Sequence, residues 1–105
     1  IIFKIKKQTT KIFIPNIISP NGDQLNDVLD IFSDDPNLQI NFLRIFDRWG
    51  ELIYEVKNQT LQNYTAWDGT FRGKNVTNGV YVIHGHFVFS NGKSQEVVQD
   101  LSVIR

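Results

Sequence analysis

The chain has no cysteine and no methionine, and its apolar residues never form a long uninterrupted run. Without cysteine, disulfides, thiolate chemistry and cysteine-ligated zinc sites are excluded. Without a run of about eighteen apolar residues, a membrane-spanning helix is not predicted. No signal peptide is recognisable at the start, and a chain that opens Ile1-Ile2-Phe3 is interpreted as a piece of a longer protein whose export signal would lie upstream.

An excess of charge of one sign is also missing. The 11 Lys and Arg residues balance the 11 Asp and Glu residues, so no global field draws the chain to nucleic acid or to anionic lipid. The sequence contains no G-x-S-x-G elbow, no phosphate-binding loop, no H-E-x-x-H zinc motif and no cysteine nucleophile. It therefore does not predict an enzyme.

What the chain does have is an apolar content suited to one β-rich core. Its 105 residues are 41% hydrophobic and 12% aromatic, which fits a single domain. β-branched and aromatic residues dominate, and clusters of Asn, Gly and Pro interrupt them about every ten residues. This rhythm predicts an all-β sandwich of about seven antiparallel strands, over residues 2–6, 11–14, 28–32, 40–47, 51–56, 79–89 and 96–104.

The last two predicted strands form the clearest hairpin. Asn91-Gly92 separates them, which predicts a two-residue type I′ turn. Side chains two positions apart face the same side of a strand. The residues expected to face the core are Tyr81, Ile83, Phe87 and Phe89 before the turn, and Val97, Leu101 and Val103 after it.

Two histidines lie on the other side of the first of these strands. His84 and His86 are two apart, a spacing seen in zinc sites. No third ligand can be identified, and their neighbours on that side are valines. We interpret them as part of a half-buried sheet face.

A polar loop separates the first apolar segments. Asn21, Asp23, Asn26 and Asp27 place side-chain oxygens two to six residues apart, as acidic calcium loops do. The alternative is a loop without an ion, ordered by hydrogen bonds from its own Asn and Asp side chains, with Asp27 capping the next strand. Both interpretations remain open at this point.

Both tryptophans lie near predicted turns. Arg48-Trp49-Gly50 predicts a tight turn with Gly50 at positive φ and a cation–π contact between the first two side chains. The tip could dock a protein partner, or Arg48 could pair with Asp47 or Asp68 inside the fold. Trp67 is interpreted as covering one end of the sandwich.

Residues 57–78 are rich in Asn, Gln, Thr and Gly. We interpret them as a long, partly ordered connection between strands that is pinned by its aromatic side chains.

Several motifs occur in one order along most of the chain, and together they resemble a known family. They are Phe13-Ile14-Pro15-Asn16, Ser19-Pro20-Asn21-Gly22-Asp23, Asn26-Asp27, Ile45-Phe46-Asp47-Arg48-Trp49-Gly50-Glu51, Trp67-Asp68-Gly69-Thr70, Gly73-Lys74, Gly79-Val80-Tyr81 and Ile104-Arg105. This series resembles the gliding motility-associated C-terminal domain, the type B sorting domain on cargo of the Bacteroidota type IX secretion system. Family members usually have glycine after Asp23, where this chain has Gln24.

The resemblance implies an immunoglobulin-like β-sandwich over residues 12–105, with residues 1–11 as a linker or leading strand. It implies a domain that directs a larger cargo through the type IX translocon, or to an associated outer-membrane protein, and then to the cell surface or the medium. The expected docking residues are Arg48, Trp49, Gly50, Ile104 and Arg105. An adhesive or carbohydrate-binding module, stacking sugars on Trp49, Trp67 and Tyr64, is the alternative.

Overall fold

The structure is a computed structural model that describes residues 11–105. Among these residues it contains strands, turns and one short 3₁₀ helix, with no α-helix. The predicted all-β class is therefore confirmed. The strand predicted over residues 2–6 lies outside the described residues.

Nine strands follow one another along the described chain. They are β1 Ile12–Phe13, β2 Ile17–Ile18, β3 Phe32–Ser33, β4 Gln39–Phe46, β5 Leu52–Thr60, β6 Thr70–Phe71, β7 Lys74–Asn75, β8 Gly79–Val88 and β9 Ser94–Val103. The 3₁₀ helix, Leu61–Asn63, comes between β5 and β6. The four long strands match four predicted segments within one to four residues at each end.

One five-stranded sheet, in the order β2-β9-β8-β4-β5, carries the fold. The four long strands pair antiparallel, but β2 runs parallel to β9, with Ile17 opposite Ser102. The prediction of purely antiparallel pairing was therefore wrong at this edge. The side-chain amide of Gln99 donates to the carbonyls of Ile14 and Pro15 and brings the chain to β9 in this direction.

The inner face of this sheet holds the core. Tyr81, Ile83, Phe87 and Phe89 are buried, as are Leu101 and Val103, while Val97 is partly buried against them. The predicted inward faces are thus confirmed. The opposing layer consists of the two-stranded sheets β1-β3 and β6-β7 and the irregular chain that contributes buried Leu29, Ile31, Leu38 and Trp67.

The outer face of the same sheet is half-buried and mixed in character. Phe42 lies between the two histidines of this face. The centre of its ring is 5.0 Å from that of His84 and 6.0 Å from that of His86. His84 Nε2 is 3.3 Å from a Glu96 carboxylate oxygen. Within the described chain no group of three metal-binding side chains forms, and the interpretation as a sheet face fits the geometry.

Two strand predictions need correction. Within residues 28–32, only Phe32 belongs to a ladder, and Leu29 makes one isolated bridge to Trp67. Buried and exposed residues do alternate there, but Leu29 pairs only with Trp67 and Phe32 pairs with Phe13 of β1. Conversely, β5 continues to Thr60, into the segment expected to be a connection, because β4 is long enough to pair with it as far as Gln39.

The turn at Asn91-Gly92 is also different from the predicted type I′. Gly92 N–H donates to the carbonyl of Phe89 at 2.9 Å, and Phe89 N–H donates to Lys93 at 2.8 Å. Only Gly92 in this loop has positive φ, at 88°. The loop is therefore a three-residue type I turn followed by a glycine bulge.

The connection over residues 61–78 is held by the protein's three tyrosines. Tyr54 donates its hydroxyl to the carbonyl of Thr65, Tyr64 to Leu29 and Tyr81 to Thr77, at 2.6–2.7 Å. Burial raises the pKa of Tyr64, so this phenol stays protonated and able to donate. The prediction that aromatic side chains pin this segment is confirmed.

A buried carboxylate closes the opposite end of the sandwich. Asp35 is 1% exposed and accepts hydrogen bonds from the Ser90 amide and hydroxyl and from the Asn37 amide. The Ser90 amide, 2.7 Å away, is the main reason why the pKa of Asp35 is lowered. Asp35 thereby joins the loop before β4 to the β8-β9 turn.

We expect the free energy of unfolding to fall in acid because Asp35 must be protonated. Its folded pKa lies below the ordinary value of 3.8, so its contribution is complete above that value and is lost as the pH falls through the folded pKa. Asp35→Asn should lower the stability at neutral pH and flatten the acid limb. Urea unfolding between about pH 2 and pH 7 measures both, and Asp34→Asn is the exposed neighbouring control. An unchanged acid limb in Asp35→Asn would contradict this account.

Candidate functional site

The residues predicted to have functional roles gather at one end of the sandwich. β4 ends there and β5 and β8 begin there, with Phe46 opposite Leu52 and Val82. β9 ends at the same end, beside β2. The polar loop after β2, the Arg48 turn and the chain terminus therefore share this end, which we call the tip end.

The β4-β5 turn presents Trp49 to solvent. Asp47 Oδ1 accepts the backbone amides of Trp49 at 2.9 Å and Glu51 at 2.8 Å, and Gly50 takes φ 85° as predicted. In the backbone, Gly50 N–H donates to the carbonyl of Asp47 at 3.0 Å and Asp47 N–H donates to that of Glu51 at 2.9 Å, the same three-residue turn with a glycine bulge as in the β8-β9 hairpin. The indole is 84% exposed. The Trp49 side chain is thus held in solvent by a turn whose backbone amides are hydrogen-bonded.

Arg48 stacks loosely on this indole and makes no ion pair within residues 11–105. Its guanidinium carbon is 5.9 Å from the centre of the Trp49 ring, which confirms the predicted cation–π contact. The alternative pairing with Asp47 or Asp68 is not formed. One guanidinium nitrogen instead lies beside Gly79, 3.5 Å from where a Cβ would be.

A cleft of about 440 Å³ lies between this turn and the β6-β7 hairpin. Ile53, Phe71, Val76 and Tyr81 supply its apolar walls, and the start of β8 closes one side. Arg48 and Trp49 stand on one rim. Arg72 and Lys74 line it from the hairpin. Neither of these two cations forms an ion pair in the described part of the chain.

The β6-β7 hairpin contains the type I′ turn that was expected elsewhere. Phe71 pairs with Lys74 across two residues, Arg72 and Gly73, whose φ values are 53° and 78°. Asn-Gly is the favoured pair for this turn, and an arginine in the left-handed region costs about 1–2 kcal/mol. The Arg72 guanidinium lies 4.8 Å from the Phe71 ring centre. No strand periodicity in the sequence singles out this hairpin.

Arg105 is engaged inside the fold. Its guanidinium donates to the backbone carbonyls of Val76 and Gly69, and its amide donates to the side chain of Asn78. These bonds tie the end of the chain to the β6-β7 hairpin. Ile104, by contrast, is 49% exposed. Of the two predicted terminal docking residues, Ile104 is the one that offers free side-chain surface.

The polar loop orders itself. Asp27 accepts the backbone amides of Asn21 and Gly22 at 3.1 Å through one oxygen, and that of Gln24 at 2.7 Å through the other. Asn21 and Asp23 accept the amides two residues ahead of them, in Asx turns. These contacts support the interpretation without an ion, and calcium binding stays a prediction.

The position of Gln24 explains why glycine suits this loop. Its φ is 66° and that of Asn26 is 54°, both in the region that glycine enters without a steric penalty. Asn is among the residues that tolerate it best, whereas Gln is not. The loop keeps its shape here at some conformational cost.

The turn that follows Trp67 contacts both Pro20, at the start of the polar loop, and Arg105 at the terminus. Trp67 is 1% exposed and its indole N–H donates to the carbonyl of Thr70 at 2.8 Å, so its predicted structural role is confirmed. Gly69 has φ 82°, and a Cβ there would lie 2.9 Å from Pro20 and 3.2 Å from the Arg105 guanidinium. The tip end is therefore packed closely around a glycine.

Gly69→Ala is expected to destabilise the protein markedly. Alanine adds left-handed strain of about 1–2 kcal/mol and a clash that typically costs about 1–3 kcal/mol more. Gly92→Ala is the matched control, because Gly92 has φ 88° but nothing within 4 Å of the added Cβ. Chemical unfolding of both variants gives the two costs. An equal loss of stability would show that the close approach of Pro20 is unimportant.

The calcium prediction can be tested by thermal unfolding. Calcium at a hundred times its dissociation constant would stabilise the folded chain by about 2.7 kcal/mol and raise the midpoint relative to chelator. Asp23→Asn should then reduce that rise. A midpoint that is the same with calcium and with chelator would leave the loop ordered by its own hydrogen bonds alone.

The comparison with solved structures supports the sandwich fold. The crystal structure of CopC from Methylosinus trichosporium OB3b matches with a TM-score of 0.55 over 91% of this chain and 91% of that chain, at 12% identity. At this identity the likeness shows the fold alone. No curated protein matches the chain.

The family comparison covers most of the sandwich but stops before the end of β9 and the chain terminus. Residues 12–100 match the model of the CHU_C type IX secretion signal domain, the type of domain that the ordered motifs resemble. In the described residues no helix is long and apolar enough to cross a membrane. The chain belongs to the CHU_C type IX secretion signal domain family.

Proposed function

We propose that this domain directs a larger cargo through the type IX secretion system by protein–protein recognition at the outer membrane, and that the tip end is the surface recognised. The single observation that carries the proposal is the exposed Trp49 on a turn fixed by Asp47. The partner would be the translocon or an associated outer-membrane protein. The domain would pass through the periplasm as a folded monomer and reach the cell surface or the medium with its cargo.

The chemistry of the turn supports docking. Trp and Arg are enriched among the residues that dominate binding energy, and here they are adjacent. Because the backbone of the turn is fixed by Asp47, a partner would pay little entropy to order it. Arg48 makes no ion pair in the described part of the fold, so a partner carboxylate would not have to displace an existing one.

The remaining predicted residues have two kinds of role in this proposal. Gly50 shapes the turn through its positive φ, and Ile104 adds exposed apolar surface. Arg105 acts as a positioning residue, because its guanidinium holds the β6-β7 hairpin. The polar loop, ordered by Asp27, would form an adjoining surface.

The carbohydrate-binding alternative has less support. It required Trp49, Trp67 and Tyr64 as sugar platforms, but Trp67 is 1% exposed and Tyr64 is partly buried, with its hydroxyl bonded to Leu29. Only Trp49 of the three is freely accessible. The prediction of a three-ring platform was therefore wrong.

A secretion assay tests the proposal. The chain is fused behind a signal peptide and a reporter in a host with type IX secretion, and the reporter in the medium and at the surface is measured. Trp49→Ala and Arg48→Glu should each reduce export several-fold, since hot-spot truncation commonly costs 2 kcal/mol or more, over tenfold in affinity. Their thermal midpoints should stay close to that of the parent, because both side chains are exposed.

The control is Val98→Ala, which removes an exposed apolar side chain, 64% accessible, from β9. Deleting the last residues would be less informative, because Leu101 and Val103 are fully buried and their loss would unfold the sheet. Normal export of Trp49→Ala together with loss of export by Val98→Ala would place recognition on another surface.

A further inference from the structure

We propose that the cleft beside Trp49 binds an acidic segment of a partner protein that carries an aromatic or aliphatic side chain between its carboxylates. This inference rests on the proposed function and names the chemistry of the partner. The cleft lies between the β4-β5 turn and the β6-β7 hairpin and measures about 440 Å³. That volume is within the range of about 300–1,000 Å³ found for small-molecule pockets, enough for one or two side chains of a partner.

Charge is the first argument for an acidic occupant. Arg48, Arg72 and Lys74 line the cleft, and none of them has a carboxylate within 4.0 Å in residues 11–105. Two acidic residues also line it, but Asp47 is occupied by the turn amides. Glu51 is the remaining acid. Three cations against two carboxylates give the lining a formal charge of +1, and only Glu51 is free of the turn, although the chain as a whole is neutral.

The walls are the second argument. Phe71, Val76 and Tyr81 supply apolar surface between the two charged rims. An occupant that matches them places an apolar side chain at the centre and carboxylates on either side. Arg48 and Arg72 each lie over an aromatic ring, Trp49 and Phe71 respectively. These contacts leave the planar donors of both guanidinium groups free for bidentate carboxylate binding.

The backbone of Arg72 is the third argument. It occupies a left-handed position, φ 53°, in a type I′ turn where Asn would be less costly. Strain of this kind accumulates at functional sites. The conformational strain at Arg72 is consistent with a side chain that serves binding and not the stability of the hairpin.

A protein segment fits this surface better than a membrane. Recognition of anionic lipid commonly uses clusters of about four to eight Lys or Arg residues. The cleft has three, separated by apolar walls, on a chain with no net charge. Such spacing selects a ligand whose charges are set apart, as in a peptide.

The probe is a capped five-residue peptide of alternating Glu and Phe, with a matched peptide in which Lys replaces each Glu. Binding to the intact chain is followed by backbone amide NMR and by Trp fluorescence. Trp49 is exposed and Trp67 is buried, so Trp49→Phe removes the responsive signal. We expect the acidic peptide to shift the amides of residues 47–51, 70–76 and 79–81, and the basic peptide to shift none of them. Raising the salt concentration should weaken the binding.

Arg72→Asn is the decisive variant. It should hold or raise the thermal midpoint, because Asn suits the turn, and it should weaken the acidic peptide about tenfold, as truncating a binding hot spot does. A merely structural role for Arg72 predicts no loss of binding. Lys93→Asn makes the same change of charge at the opposite hairpin and should leave the affinity unchanged.

Equal binding of both peptides, amide shifts at the β8-β9 hairpin, or full affinity in Arg72→Asn would each overturn the proposal. Binding of the chain to vesicles of anionic phospholipid without binding to the acidic peptide would overturn it in favour of a lipid. The secretion assay separates this proposal from the wider one. If Trp49→Ala abolishes export and the peptide does not bind, the acidic occupant is wrong while recognition at the tip end stands.

Discussion

The structure depends on hydrogen bonds that side chains donate to the backbone carbonyls of one layer of the sandwich. The layer opposite the five-stranded sheet consists largely of irregular chain and two short two-stranded sheets, whose polar groups cannot pair in an extended ladder. Buried carbonyls without partners are costly. Side chains supply the donors: three tyrosine hydroxyls, the Trp67 indole and the Arg105 guanidinium all donate to backbone carbonyls of residues 61–78 or of Leu29. Each of these side chains has an apolar part that packs in the fold and a polar end that donates a hydrogen bond to the backbone.

The same side-chain hydrogen bonds to the backbone also shape the candidate site. The β6-β7 hairpin has only two residues in each strand, too few to hold a position alone. Arg105 bonds to both sides of it, and Pro20 packs against Gly69 at its base. The cleft wall that carries Arg72 is therefore fixed by contacts from distant parts of the sequence. The opposite wall, the Trp49 turn, is fixed locally by Asp47. One rim is set by local turn chemistry and the other by tertiary structure.

This difference explains what the sequence could predict. Alternating apolar residues indicated the four long strands and their inward faces, because that pattern follows directly from strand geometry. Gly50 at positive φ followed from a short motif, whereas the sequence left open whether Trp49 is exposed or covers one end of the sandwich. The parallel β2 strand and the β6-β7 hairpin had no such pattern, since two-residue strands carry no periodicity. Asn91-Gly92 suggested a type I′ turn, yet that turn formed at Arg72-Gly73, because the registers of the strands, and not the dipeptides alone, decide the length of each loop. Arg72 was missed for the same reason.

The parallel pairing of β2 with β9 has a consequence for biosynthesis. It joins the start of the domain to its last strand, and the bond from Gln99 to Ile14 spans 85 positions. Such distant contacts close late in folding. The tip end, where Pro20, Gly69 and Arg105 meet, cannot be complete until the final strand has left the ribosome. A polypeptide that stops before β9 would therefore lack both the pairing with β2 and the Arg105 contacts that complete the tip end.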